Sequence, residues 1–155
     1  MNNIVREDKA RSDMVQLATF FLGGELFGIN ALHVQEILAY QEITTVPLAP
    51  KYVRGLINLR GQIVAMIDLR RRLGFEQLAE EPTGMNLIVN SDEGPMGLLV
   101  DQIGNVVDIQ GDRLKSPPGT IRGVAVHYIQ AICQLEEELL IVLDLDSILQ
   151  LGDQK

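Results

Sequence analysis

YVRGLINLRGQIVAMIDLRRRLGF, residues 52–75, decides how the rest of the chain is read. It predicts a strand, a tight turn, a second strand and one short helix. Val53, Leu56 and Ile57 lead into Asn58-Leu59-Arg60-Gly61, a four-residue turn signal in which Gly61 can adopt a positive φ at no Cβ cost. The return through Ile63, Val64, Met66 and Ile67 is too continuous for a strand with one wet face, so cover on both sides is expected. Asp68 is placed to cap the amides of Leu69 to Leu73, and Gly74 to stop that helix.

The pattern returns 76 positions later as YIQAICQLEEELLIVLDLDSILQL, Tyr128 to Leu151. Tyr52 falls on Tyr128, Asp68 on Asp144, Leu69 on Leu145 and Leu73 on Leu149. The apolar positions between them also match: Val53, Leu56, Ile63, Val64 and Ile67 fall on Ile129, Ile132, Leu139, Leu140 and Leu143. The turns do not match, since Leu59-Arg60-Gly61 meets Leu135-Glu136-Glu137. A buried pattern that repeats beneath a surface that diverges points to a duplicated unit.

Working outward, the flanks carry the same grammar. Val15 to Leu22 reads as a strand, Gly23-Gly24 as a hairpin turn and Glu25 to Ile29 as the return. Asn30 can cap a single turn through Ala31, Leu32 and His33, after which Val34 to Tyr40 is extended. Pro47 and Pro50 stiffen the connection into the central stretch and suit only a sheet edge. In the second half Asn86 to Asn90, the turn Ser91 to Gly94, Met96 to Val100 and Ile103 to Ile109 repeat the series. Gly97 matches Gly28, and Pro117-Pro118-Gly119 stands where Pro47 to Pro50 stood. The expected architecture is mainly β, with five short strands per half and a short helix after each hairpin unit. It implies a flexible tail over 1–13 and one domain over 14–155, with barrel 1 at about 15–75, a linker at 76–84 and barrel 2 at about 85–151.

Bulk composition excludes several functions. The 155 residues carry a formal charge of -8 with a pI near 4.7, and no basic stripe exists to neutralise phosphates, so nucleic acid is not an expected partner. No apolar run of about 18 residues and no export-signal core are present, so neither membrane insertion nor secretion is expected. The single cysteine, Cys133, lies in an apolar strand pattern, reads as a small core residue and fits a reducing cytoplasm. With Trp absent and aromatics at 5%, the core must be aliphatic.

Candidate chemistry is sparse. Asp68 and Asp144 invite a paired-carboxylate reading, but each stands where an ordinary helix cap belongs. His33 and His127 are not at metal-ligand spacing, and His33 with Glu36 is only a pair. Arg70-Arg71-Arg72 falls at a helix end, where cations are common, and Glu136 to Glu138 keeps a turn solvated. No catalytic set, metal site or cofactor site is expected. What remains is a surface on which Glu36 and Arg60 can form a charge pair beside Val34 and other apolar residues, a pattern suited to docking a partner helix.

GINALHVQEI (28–37), APKYVRGLINLRG (49–61), IVAMIDLRRRLG (63–74), GLLVDQIGNVVDI (97–109) and YIQAICQLEEELLIVLDLDSIL (128–149) together resemble the CheW family of bacterial chemotaxis coupling proteins. The resemblance implies two SH3-like five-stranded barrels packed together around separate aliphatic cores, and a scaffold without catalysis. It implies two partners: the regulatory domain of the histidine kinase CheA and the cytoplasmic signalling hairpin of chemoreceptors, met in the cytoplasm at membrane-associated receptor arrays. The alternative is an adaptor of a sibling pathway, such as one controlling pilus-based motility. Carried over by position, the receptor-facing set is Ala31, Val34, Glu36, Gly55, Arg60, Met85, Gly97 and Val106. Ala65 departs from the proline common there, which restores an amide donor at that position.

Overall fold

The computed structural model describes residues 13–39, 41–75 and 84–150. The expected tail and linker fall almost wholly outside them. Among the described residues the strands are β1 Met14–Leu22, β2 Glu25–Asn30, β3 Val34–Leu38, β4 Val53–Leu59, β5 Gln62–Asp68, β6 Met85–Ser91, β7 Gly94–Val100, β8 Gln102–Gln110, β9 Ile129–Gln134 and β10 Leu139–Leu143. Short helices α1, Leu69–Leu73, and α2, Leu145–Leu149, follow β5 and β10. The chain is mainly β, as expected.

The duplication is literal in its local chemistry. Displaced by the 76 positions that separate Tyr52 from Tyr128, the bounds of α1 become those of α2. Asp68 and Asp144 each accept a hydrogen bond from the backbone N–H three residues on, Arg71 and Ser147, both at 3.4 Å. Their own amides donate to the carbonyls of Tyr52 and Tyr128 at 2.7 and 2.8 Å. Both carboxylates are therefore occupied as helix caps. Gly74 ends α1 at φ +86, where a side chain would be strained.

The two five-stranded sheets are not the two halves of the sequence. The first has order β8-β1-β2-β10-β9 and the second β3-β6-β7-β5-β4. Each takes one hairpin from one half and its remaining three strands from the other, so the expected division at 15–75 and 85–151 is corrected to an exchange. Swapping the halves converts one strand order into the other. The reason lies in the joins: β2 runs parallel to β10, and β7 parallel to β5. Parallel neighbours need long connections, which strands far apart in the chain supply and a short hairpin does not. A single helical turn, Ala31–His33, carries the chain from the first sheet to the second, begun by the Asn30 side chain accepting from Leu32 N–H at 3.0 Å.

Alternation along the strands feeds three apolar clusters. Leu17, Leu26, Cys133, Leu140 and Val142 belong to the first sheet's own cluster, and Ile57, Val64, Met66, Ile88 and Leu99 to the second's. Their neighbours Phe20, Phe27, Ile141, Ile67, Leu87 and Leu98 meet in a third and larger cluster shared by both sheets. The expected separate cores are thus joined by a common one. Burial of each such side chain stabilises by roughly 1.5–3 kcal/mol, so the shared cluster binds the sheets into one folding unit. It also explains the continuous apolar runs, which are covered on both faces. Ile63 is the exception: it is 60% exposed, and two-sided cover begins at Val64.

Arg72 fastens the two repeats where they meet. It is buried at 6% exposure, and its guanidinium donates to the carbonyls of Ile148, Ser147 and Gln150 at 2.9, 3.1 and 3.2 Å. The same group lies 4.6 Å from the ring centroid of Tyr52 and 5.4 Å from that of its repeat-mate Tyr128. A cation at the C-terminal end of α2 also meets the negative end of that helix. Burial raises the Tyr52 pKa above the ordinary 10.0, while the Arg72 charge pulls it the other way.

Candidate protein-docking surface

Two irregularities build the charge pair. Arg60 and Gly61 form the loop between β4 and β5 at φ +52 and +86, the conformation of a type I′ turn, and Asn58 Oδ1 accepts from Gly61 N–H at 2.8 Å. Arginine is an unusual occupant there, since a left-handed residue with a Cβ costs roughly 1–2 kcal/mol. On β3, one extra residue, Gln35, separates Val34 from Glu36 opposite the consecutive pair Val89 and Ile88. That bulge turns the strand over. Val34 packs on the shared core, while Leu38 beyond the bulge packs on the second sheet's own cluster.

The result is a two-point ion pair. Arg60 Nη1 donates to Glu36 Oε1 at 3.2 Å, and Nη2 donates to Oε2. The guanidinium lowers the Glu36 pKa below the ordinary 4.5, chiefly by its hydrogen bond, and Glu36 in turn raises that of Arg60. The Arg60 side chain is 66% exposed and that of Glu36 24%, a setting in which an ion pair adds little to stability. Because β3 and β4 are the two edges of the second sheet, the pair spans a seam that no ladder joins among the described residues.

The other six expected residues fall into three groups. Ala31, Val34 and Met85 are half-buried at the rim of the shared core. Gly55 and Gly97 are buried and lie on one transverse row of the second sheet, running Glu36, Ile88, Gly97, Met66, Gly55 through successive strand pairs. Gly55 has φ +148, and a Cβ on it would strike the Thr44 carbonyl; a Cβ on Gly97 would strike the Met66 thioether. These glycines shape the sheet beneath the pair and present no surface of their own. Val106 stands apart on β8 of the first sheet, 59% exposed and paired with Ala18.

The structure adds neighbours that sequence reasoning left out. Leu32, 86% exposed, and Ile37, 44% exposed, flank Val34 and Glu36. Position 37 carried a signal, as an apolar residue in an edge strand whose alternation puts it outward. Among the described residues no group of His, Cys, Asp and Glu could hold a metal ion. Asp68 is held by Arg54 and Arg71 at 3.6 and 3.5 Å, Glu25 by Arg122 at 3.2 Å, and Asp101 by Arg70. Cys133 is buried. The arrangement can clasp an apolar helix rim and set its register by charge.

Known proteins similar to this chain match it over most of its length. The family described as CheW-like domain matches residues 16–152. The chain is 34% identical over 140 residues to the chemotaxis protein CheW of Treponema pallidum, covering 88% of this chain and 82% of the relative. It is 30% identical over 130 residues to that of Klebsiella aerogenes, covering 84% and 78%. The crystal structure of the scaffolding protein TtCheW from Thermoanaerobacter tengcongensis superposes with a TM-score of 0.82 at 26% identity, covering 90% of this chain and 95% of that one.

Proposed function

The chain belongs to the CheW family of chemotaxis coupling proteins, and from that premise we propose that it holds the cytoplasmic signalling hairpin of a chemoreceptor beside the regulatory domain of the histidine kinase CheA. It acts as a scaffold: receptor state reaches the kinase through geometry, with no covalent step on this chain. Its place is the cytoplasmic face of a receptor array. Among the described residues no helix is long and apolar enough to cross a membrane.

The observation that carries this reading is the exposed two-point pair Glu36–Arg60, held by a strained turn and a bulge beside the apolar rim of Ala31, Val34 and Met85. The fold gains little from the pair. A helical hairpin laid on that rim would bury Val34 and Ala31 and exchange hydrogen bonds with the two charges. Gly55 and Gly97 leave room within that row for the Thr44 carbonyl and the Met66 thioether.

The test is a calorimetric titration of a soluble receptor signalling-hairpin fragment into the wild type, Glu36→Ala and Arg60→Ala. Each variant is expected to lose at least about tenfold in affinity, equivalent to about 1.4 kcal/mol, with the thermal midpoint unchanged within about 2 °C. Wild-type affinity in both variants would remove the pair from the docking surface.

A further inference from the structure

The outer strand of the first sheet changes face midway. Val107 and Ile109 point into that sheet's own cluster, while Ile103 packs on the shared core. The switch is made between Ile103 and Val106, which span one residue more than their partners Phe20 and Ala18 on β1. Thr19 lies between those partners. It is buried at 4% exposure, and its hydroxyl donates to the Asn105 carbonyl at 2.5 Å. Gly104 crosses directly over the same hydroxyl, and any Cβ there would collide with it. Val106 emerges from this bulge on the shared-core face. Its row-mates Ala18 and Ile29 are buried, yet Val106 itself is 59% exposed.

The equivalent bulge on β3 is the one that aims Glu36 at Arg60. Bulges of this kind re-aim side chains, and a one-residue slip sends every later side chain to the opposite face. A buried threonine between Ala18 and Phe20 has no packing advantage over valine. Its hydroxyl is accounted for by the bulge it holds.

We propose that Thr19 is a positioning residue for receptor docking: its hydroxyl pins the Gly104–Asn105 bulge and thereby fixes the direction in which Val106 meets the receptor hairpin. This rests on the reading of Val106 as part of the docking surface. The test is a double-mutant cycle in affinity for the receptor fragment, using Thr19→Val, Thr19→Ser, Val106→Ser and the double variant Thr19→Val with Val106→Ser. Thr19→Val removes one hydrogen bond and should weaken binding about fivefold, while Thr19→Ser stays within about twofold of wild type. The double variant should bind as Val106→Ser does, because misdirecting a contact already removed costs nothing more. Backbone amide resonances of Gly104 to Val106 should move in Thr19→Val and remain near wild-type positions in Thr19→Ser. Loss at Val106 with none at Thr19, or losses that multiply in the double variant, would overturn the proposal alone. Wild-type binding by Val106→Ser would overturn the placement of Val106 as well.

Discussion

Replacing Arg72 by alanine should cost this protein about 3 kcal/mol of stability. The substitution strands the carbonyls of Ser147, Ile148 and Gln150 at the end of α2 and uncovers the faces of Tyr52 and Tyr128. Three hydrogen bonds from a charged donor would add to several kcal/mol at roughly 1.5–3 each, with about 0.5–2 more from the aromatic faces. Desolvating a guanidinium offsets several kcal/mol of that sum. Breaking one side of a buried charged interaction typically costs about 3–5 kcal/mol, and neutral carbonyl acceptors put this case at the lower end. For a domain of this size each kcal/mol moves the midpoint by about 2–4 °C, so the fall should be about 6–12 °C. Urea titration and scanning calorimetry would both read it. Arg72→Lys keeps the charge without the planar fork and should fall between the two. A loss below about 1 kcal/mol in Arg72→Ala would refute the view that this side chain ties the repeats together.

Gly97→Val should destabilise by about 1–3 kcal/mol in urea unfolding, and Met66→Ala in the same chain should recover part of the loss by emptying the space the new methyls need. Gly55→Ala should also destabilise, because it combines a positive φ with a backbone collision, and no side-chain truncation nearby should rescue it. Glu36 has a lowered pKa, so its charge is retained down through the ordinary 4.5 and lost only as pH falls below that value. Receptor-fragment affinity should therefore stay flat across neutral and mildly acidic pH and drop only in strong acid; a fall already in the neutral range would contradict a role for the Glu36 charge in the contact.

The local units were legible because their determinants are local. Turn residues, cap residues and strand alternation in 52–75 predict β4, β5 and α1, and the 76-residue displacement finds β9, β10 and α2. The assignment of hairpins to sheets was not legible: alternation states that a face is buried and leaves open what buries it. Ile67 and Val64 look alike in sequence, yet one packs on the shared core and the other on the second sheet's own cluster. Arg72 reads in the sequence as one of three cations at a helix end, although its repeat position is that of the buried Ile148, and an arginine in an apolar slot is the available signal. Glu36 and Arg60 could be paired from the sequence only as a possibility of the fold. The bulge at Gln35 and the positive φ at Arg60, which bring them together, leave no mark in composition.

Sedimentation velocity on a mixture of this chain, a receptor signalling-hairpin fragment and the CheA regulatory domain tests the coupling role most directly. One boundary containing all three components is the predicted result, with Arg60→Ala releasing the receptor fragment and leaving the kinase domain bound. Two separate pairwise boundaries, each partner displacing the other, would contradict it.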